Sequence, residues 1–342
     1  MRPLFHPHLI NGRFGDPALY IETQFVSRAV LFDLGDITAL ASRKILRLSH
    51  VFVSHTHVDH FVGFDHLLRL NIGRAKTIRF YGPEGFIARV QHKLQAYSWN
   101  LVERFEADLV LDVTEIALTL TWQRARFRLK AAFAREEVGE GRDAHGIIVD
   151  EPNFRVGVAV LDHRIACLGF ALKEVAHVNV WKPRLTELNL PVGPWLRDLK
   201  SAIAAGQPDD YPVRIPDSGV KPLGALRDVV TVTEGQKIGY VSDAADTPAN
   251  RRAIVALVRN ADLLFIEAPF ADADAALAAD RAHLTTRQAG EIARAADVRR
   301  VEPFHFSPRY SGADAALLDE VISAFGDHAS TSSRDAPPAP AL

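Results

Sequence analysis

Residues 52–64, FVSHTHVDHFVGF, place three histidines and an aspartate within six positions, directly after an apolar run. His55 and His57 are two residues apart, so in extended backbone their side chains point the same way, and Asp59 continues that alternation. His60 adds a fourth polar group at the turn. Imidazole and carboxylate are ligands that zinc and similar divalent ions prefer. The stretch therefore predicts a metal site, dense enough for two ions, with His55 and His57 on one and Asp59 and His60 on the other.

A two-metal site needs further ligands, and these usually stand at the ends of other strands. Three metal-competent side chains follow strand-like apolar runs: His163 after VGVAVLD, Asp243 at the end of IGYVSD, and His305 near the end of VEPFHFS. Asp243 could bridge two ions, because a carboxylate has two oxygens to share. Asp246 is an alternative bridge, and the aspartate that does not bridge would cap a helix. We favour Asp243, because it stands where the strand stops.

The alternative interpretation of the histidine loop is a polar surface loop with incidental histidines. We consider it the weaker one, because four such groups at one strand end would repel each other or stay unpaired without a metal ion.

Length, charge and cysteine content limit the class of protein. The chain has 342 residues, 48% of them hydrophobic, which is ordinary for a globular protein. A net charge of −2 gives no general attraction to nucleic acid. Because Cys167 is the one cysteine, the chain cannot form an internal disulfide, which suits a reducing cytoplasm. Cys167 lies in an apolar run, so we expect it in the core. No apolar run reaches membrane-spanning length, so we expect a cytoplasmic protein without a membrane partner.

The supporting elements change character along the chain. Strand-like runs dominate from about residue 108 to 172, and strands alternate with helices after residue 236, which predicts two sheets flanked by helices. Helical spacing predicts one helix over residues 37–48 and another beginning at Pro83. Residues 174–236 are weakly periodic, so we expect an inserted arm too polar to form its own core. The predicted organisation is one domain over residues 1–325 with this arm, followed by a disordered tail over 326–342.

These stretches together resemble the metallo-β-lactamase superfamily, whose shared motif is His-X-His-X-Asp-His. Within it, the chain resembles the ribonuclease Z family of tRNA 3′-end processing endonucleases. The resemblance runs in family order from about residue 29 to 310 and rests on LFDLGD, LDHRIACLGFAL, LPVGPWLRDLK, IGYVSDAADT, HLTTRQAGEIARAADV and HFSPRY.

The resemblance implies an αββα sandwich, an α/β fold of two mixed sheets, with two divalent ions that are expected to be Zn²⁺. One ion would take His55, His57 and His163, and Asp243 would bridge. The other ion would take three further side chains of the motif and its partners: Asp59, His60 and His305.

Catalytic roles and partners also follow from the resemblance. His283 in HLT would donate a proton to the leaving oxygen, and Glu267 in IEAP is a further catalytic candidate beside Asp59. The implied substrate is a tRNA precursor, gripped by the arm at 174–236, or a smaller phosphodiester, and the implied assembly is a homodimer. Two other interpretations are a hydrolase of the same fold acting on a lactone, thioester or other acyl compound, and a binding protein with a degenerate site. The complete set of seven ligands argues against the binding protein.

Overall fold

A computed structural model describes residues 4–24, 28–143, 145–216 and 218–326. Apart from Gly326, the predicted disordered tail lies outside these residues. The described chain divides into two compact units. The main unit comprises the described parts of residues 1–150, 156–172 and 237–342, and the arm unit comprises those of 151–155 and 173–236. The prediction of a single domain with an inserted arm stays a prediction.

The strands are given first, in chain order. They are β1 (Phe5–Leu9), β2 (Leu19–Thr23), β3 (Ala29–Phe32), β4 (Leu48–Phe52), β5 (Lys76–Pro83), β6 (Leu109–Ile116), β7 (Thr121–Arg128), β8 (Arg135–Arg142), β9 (Ile147–Asp150), β10 (Phe154–Asp162), β11 (Ala166–Glu174), β12 (His177–Val180), β13 (Pro212–Ile215), β14 (Gly219–Pro222), β15 (Val230–Thr233), β16 (Lys237–Val241), β17 (Leu263–Glu267) and β18 (Val301–Phe304).

The α-helices of the described residues follow the same order. They are α1 (Ser42–Ile45), α2 (Val58–Phe61), α3 (Phe64–Asn71), α4 (Phe86–Gln95), α5 (Lys182–Glu187), α6 (Trp195–Ala204), α7 (Pro248–Val258), α8 (Ala275–Asp280), α9 (Thr286–Ala295) and α10 (Asp314–Phe325). None of them combines the length and the apolar character that crossing a bilayer requires.

Two large sheets form the main unit. The first has the order β1-β2-β3-β4-β5-β6-β7-β8, with β3 to β6 parallel and antiparallel strands on both sides. The second has the order β18-β17-β16-β11-β10-β9, with β16, β17 and β18 parallel. Because the carboxyl ends of parallel strands meet at one edge of a sheet, the segments after β3 and β4 lie side by side, as do those after β16, β17 and β18.

Aromatic rings fill the space between the two sheets. Phe32 of β3 has its ring centroid 5.1 Å from that of Phe52 in β4, 5.6 Å from Phe170 in β11 and 5.4 Å from Tyr240 in β16. All four residues are buried, and so is Cys167, as expected of a core cysteine. A core built from both sheets fixes the strand ends that carry the polar residues described below.

Two of the predicted helices differ from the structure. Over residues 37–48 only α1 is helical, because Leu48 pairs with Ala29 and begins β4, so sheet pairing overrides the helical spacing. Pro83 does not begin a helix but ends β5, where it pairs with Ile116. The chain turns at Gly85, whose φ of +82° few other residues adopt, and α4 begins after it.

The prediction that the arm is too polar for a core of its own is wrong. Trp195 is 3% exposed, and its Nε1 donates a hydrogen bond to the Pro191 carbonyl over 2.7 Å. Trp195, Leu199 and Ala202 share the buried face of α6. The arm unit's cluster of buried apolar residues is Leu185, Leu190, Trp195, Leu199, Ala202, Val213, Ile215, Leu223, Leu226 and Val229. These residues are dispersed over 45 positions of a polar segment, so the local sequence pattern does not indicate a core.

Candidate metal centre

The structure brings all seven predicted ligands together at the strand ends of the main unit. They form two sets, and within each set the donor atoms lie within 4.8 Å of one another. The first is His55, His57, His163 and Asp243, and the second is Asp59, His60 and His305. A third set links Asp243 and His305 to the other two predicted catalytic residues, Glu267 and His283.

The Asp243 carboxylate stands between the first two sets. Its Oδ2 lies 3.4 Å from His163 Nε2 and 3.7 Å from His55 Nε2. Its Oδ1 lies 3.5 Å from His60 Nε2 and 3.0 Å from His305 Nδ1. One oxygen therefore faces each set, which is the arrangement that a bridging carboxylate requires.

The donor atoms fit divalent cations. His55 Nε2 lies 2.9 Å from His57 Nδ1, so two ring nitrogens converge on one point. Burial, followed by the charge of His60, lowers the pKa of His55 to about 2, so this ring is neutral and keeps the lone pair that a metal needs. His60 Nε2 is buried without a hydrogen-bond partner among the described residues, although Asp59 Oδ2 is 3.3 Å away. A cation between these groups would satisfy both.

The pKa shifts in the second set indicate a preference for positive charge. Burial opposes the protonated form of His60, yet the carboxylates of Asp243 and Asp33 raise its pKa well above the usual value. Burial likewise disfavours the ionised form of Asp59, but hydrogen bonds from His305 and His60 lower its pKa far below its usual range. Ionised carboxylates facing imidazole nitrogens are the donor chemistry of zinc-type sites.

Asp33, for which the sequence suggested no role, orients a ligand of each set. Its carboxylate is fully buried and accepts hydrogen bonds from the Ser54 amide over 2.6 Å, Ser54 Oγ over 2.8 Å, Tyr240 Oη over 2.8 Å and His60 Nδ1 over 2.9 Å. Since Ser54 Oγ donates to Asp33, it accepts from His55 Nδ1, 3.1 Å away. Both rings thus carry hydrogen on Nδ1 and present Nε2 to the centre. The stretch LFDLGD indicates this position, since Asp33 is a polar residue directly after the end of β3.

The histidine loop is held against the segment after β3 by backbone contacts. Leu34 donates its amide to the His60 carbonyl over 2.9 Å, and Gly63 donates to the Leu34 carbonyl over 2.9 Å. A Cβ at Gly63 would lie 2.2 Å from the Gly35 carbonyl oxygen, so only glycine permits this approach. The loop that carries four ligands is therefore held by backbone contacts of its own.

His283 and Glu267 form a pair beside the metal-ligand sets. His283 Nδ1 donates to Glu267 Oε2 over 2.7 Å, and Glu267 Oε1 accepts from the amides of Ala244 and Leu284 over 2.8 and 3.2 Å. Burial disfavours the imidazolium, but the Glu267 carboxylate raises the pKa of His283 above its usual value. The second ring nitrogen of His283 is thereby turned away from Glu267 and is available for proton transfer.

The expected helix cap at Asp246 is wrong. Thr247 caps α7, because its hydroxyl accepts from the Asn250 amide over 3.1 Å and Pro248 begins the helix. Asp246 instead pairs with Arg251, with Oδ2 3.1 Å from Nη2, and it belongs to none of the described groups of candidate metal ligands.

Comparison with known proteins agrees with this geometry. A family model described as "Beta-lactamase superfamily domain" matches residues 223–306. The crystal structure of human tRNase Z, short form, superposes with a TM-score of 0.54 at 21% identity, covering 89% of this chain and 92% of that one. The metallo-β-lactamase fold protein YhfI from Bacillus subtilis superposes with a TM-score of 0.51 at 15% identity, covering 92% of this chain and 91% of that one. The chain has the metallo-β-lactamase fold, as predicted.

Sequence relatives identify the branch. Ribonuclease Z of Deinococcus radiodurans is 33% identical over 289 residues, which cover 83% of this chain and 84% of the relative. Ribonuclease Z of Synechocystis sp. is 29% identical over 300 residues, covering 86% and 78%. The chain belongs to the ribonuclease Z family, and its enzyme class is that of the metal-dependent endoribonucleases. The predicted resemblance is confirmed, and it favours the ribonuclease over the acyl hydrolase.

Proposed function

We propose that this protein is a dinuclear metal-dependent endoribonuclease that removes 3′ trailers from tRNA precursors. The observation that carries the proposal is the Asp243 carboxylate, which turns one oxygen to each of two sets of ligands. The names of the relatives and the fold shared with human tRNase Z support the choice of substrate.

The two sets would divide the ions between them. His55, His57 and His163 would hold one, and Asp243 would bridge. Asp59, His60 and His305 would hold the other. Three or four imidazole and carboxylate donors for each ion suit Zn²⁺. When bound, two such ions activate water for attack on phosphorus and stabilise charge on the phosphoryl oxygens.

The chain's own residues would move the protons. His283, held by Glu267, would donate a proton to the leaving oxygen, so Glu267 acts as a positioning residue behind it. Asp59 has a side chain 41% exposed and a lowered pKa, so it stays ionised and suits its place as a charged ligand of the second ion.

The arm unit would contact the tRNA. A groove of about 400 Å³ has an apolar floor that includes Leu185 and Leu196, and it carries three cations: Lys182, Arg197 and Lys200. The last two lie three residues apart on α6, so they share one face and suit neighbouring phosphates. The homodimer and the cytoplasmic location stay predictions.

The proposal is tested by incubating metal-loaded protein with a precursor tRNA that carries a 3′ trailer. We expect one cut that leaves a 3′ hydroxyl on the tRNA. Asp243→Asn should abolish the cut, whereas the matched change Asp246→Asn should retain it. An aryl ester and an aryl phosphodiester, assayed side by side, separate the reaction classes. Rapid ester hydrolysis with an uncut precursor would overturn the proposal.

A further inference from the structure

A cavity of about 250 Å³ extends from the candidate metal centre. Its lining includes Asp59, His283 and His305, whose roles are given above. It is also lined by residues to which the reaction assigns nothing so far, among them Phe14, Asp16 and Arg281. The cavity is smaller than the roughly 300 Å³ at which pockets for drug-sized ligands begin, so it suits one small group rather than a long segment of chain.

The Phe14 wall of the cavity is built in advance. The Phe14 ring is half-buried and meets the Phe306 ring edge-on, with centroids 5.4 Å apart. Its neighbour Arg13 accepts a hydrogen bond at its carbonyl from the Phe306 amide over 2.8 Å. Asn11 closes the loop, because its side-chain amide donates to the Asp16 carbonyl over 2.9 Å. A fixed aromatic surface costs little entropy when a flat ligand stacks on it.

Arg281 supplies a positive charge to the same cavity. Its side chain is exposed and makes no ion pair with another described residue, unlike Arg287 on α9, which pairs with Asp272 and Glu291. Arg281 lies two positions before His283 in the chain, so a charge on the ligand could meet it while the ligand's reacting oxygen faces His283. A free guanidinium beside an aromatic wall suits a group that has both a flat ring and a phosphate.

We propose that this cavity binds the nucleotide whose 3′ oxygen leaves, with its base against Phe14 and its 5′ phosphate at Arg281. The inference rests on the proposed function. In that reaction water loses a proton to solvent and a bond from phosphorus to its oxygen forms, while the bond between phosphorus and the 3′ oxygen breaks and His283 gives its proton to the 3′ oxygen. The nucleotide that carries this oxygen must therefore lie on the His283 side of the centre, where the cavity is.

A nucleoside 5′-monophosphate with a free 3′ hydroxyl mimics the end of the product that would occupy the cavity. We would measure the dissociation constants of adenosine 5′-monophosphate, adenosine and inorganic phosphate by calorimetry on metal-loaded protein. Arg281→Gln should raise the constant for the monophosphate roughly tenfold, as for the loss of one charged hydrogen bond, and leave that for adenosine unchanged. Phe14→Ala should weaken both roughly tenfold through lost stacking.

Controls separate the cavity from the metal centre. Inorganic phosphate should bind all variants within about twofold of the parent, because it needs neither side chain, and Arg287→Gln should match the parent throughout. Phe14→Leu keeps the packing against Phe306 but not the stacking surface, so it should weaken adenosine binding without lowering the melting temperature.

Three results would overturn the subsite. They are equal weakening of phosphate and monophosphate in Arg281→Gln, unchanged adenosine binding in Phe14→Ala, and a parent that binds monophosphate no more tightly than phosphate. If the parent still cuts precursor tRNA, any of these refutes the subsite alone. A parent that leaves the precursor uncut refutes the proposed function instead.

Discussion

Replacing Asp33 by asparagine tests whether this residue sets the affinity of the metal centre. The change keeps the shape of the side chain but replaces one carboxylate oxygen by an NH₂ donor. Oδ2 of Asp33 accepts from Ser54 Oγ, Tyr240 Oη and His60 Nδ1. The two hydroxyl groups can rotate and accept from the new amide, but His60 Nδ1 cannot accept while it carries hydrogen.

The size of the effect follows from the His60 ring. To meet an amide donor, His60 must move its hydrogen from Nδ1 to Nε2, which removes the lone pair that faces the centre. Loss of such an orienting partner typically costs 10- to 100-fold in metal affinity, or about 1.4–2.7 kcal/mol. Should His60 keep its hydrogen, a buried donor stays unsatisfied and the free energy of unfolding falls by about 1–3 kcal/mol. His55 is reached only through Ser54, so its ion should be affected less.

Competition with a chromophoric chelator measures both dissociation constants. We expect the dissociation constant of one ion to rise by at least about tenfold and that of the other by less. Asp36→Asn is the matched control, because Asp36 lies three positions after Asp33 in an exposed loop. Its side chain accepts hydrogen bonds from the Thr38 amide over 2.8 Å and from Thr38 Oγ1 over 2.7 Å. A folded Asp33→Asn protein that binds both ions as tightly as the control would refute the reasoning.

Three further predictions concern single side chains. Asp243→Ala should abolish phosphodiester hydrolysis and release at least one ion. Asp246→Ala should lower the free energy of unfolding by at most about 1 kcal/mol, because its pair with Arg251 is partly exposed. Elemental analysis and thermal unfolding measure both effects, and the reverse pattern would contradict the prediction. His283→Ala should lower kcat about 10²- to 10⁴-fold on a substrate with a poor leaving group, and less on a nitrophenyl diester; equal losses would mean that His283 positions substrate instead. Burial, with neighbouring arginines, lowers the pKa of His50 from 6.5 to about 3. At pH values between these two, the unfolded chain binds a proton that the folded chain does not. The free energy of unfolding should therefore fall with falling pH, by up to about 1.4 kcal/mol per unit, and His50→Gln should flatten that slope in urea titrations; parallel slopes would contradict it.

The sequence predicted the histidine loop and the strand-end ligands because each lies directly after its own strand, so local pattern locates it. The sequence does not indicate the role of Asp33, because its partners Ser54 and Tyr240 lie 21 and 207 residues away and are brought to it only when the two sheets pack. Sheet pairing at Leu48 likewise outweighed helical spacing before it. The arm's core is not predictable from the sequence for a related reason, since its apolar residues are brought together by tertiary packing and no short segment contains enough of them.

The candidate ligands come from both sheets of the main unit. The loop after β4 supplies His55, His57, Asp59 and His60, while the ends of β10, β16 and β18 supply His163, Asp243 and His305. Each ion would therefore cross-link the two halves of the sandwich, and neither half carries a complete set. At free metal 100-fold above the dissociation constant, each such cross-link adds about 2.7 kcal/mol to the free energy of unfolding. Starvation for metal would then expose the chain to proteolysis as well as inactivate it, which couples the amount of enzyme to the supply of its ions.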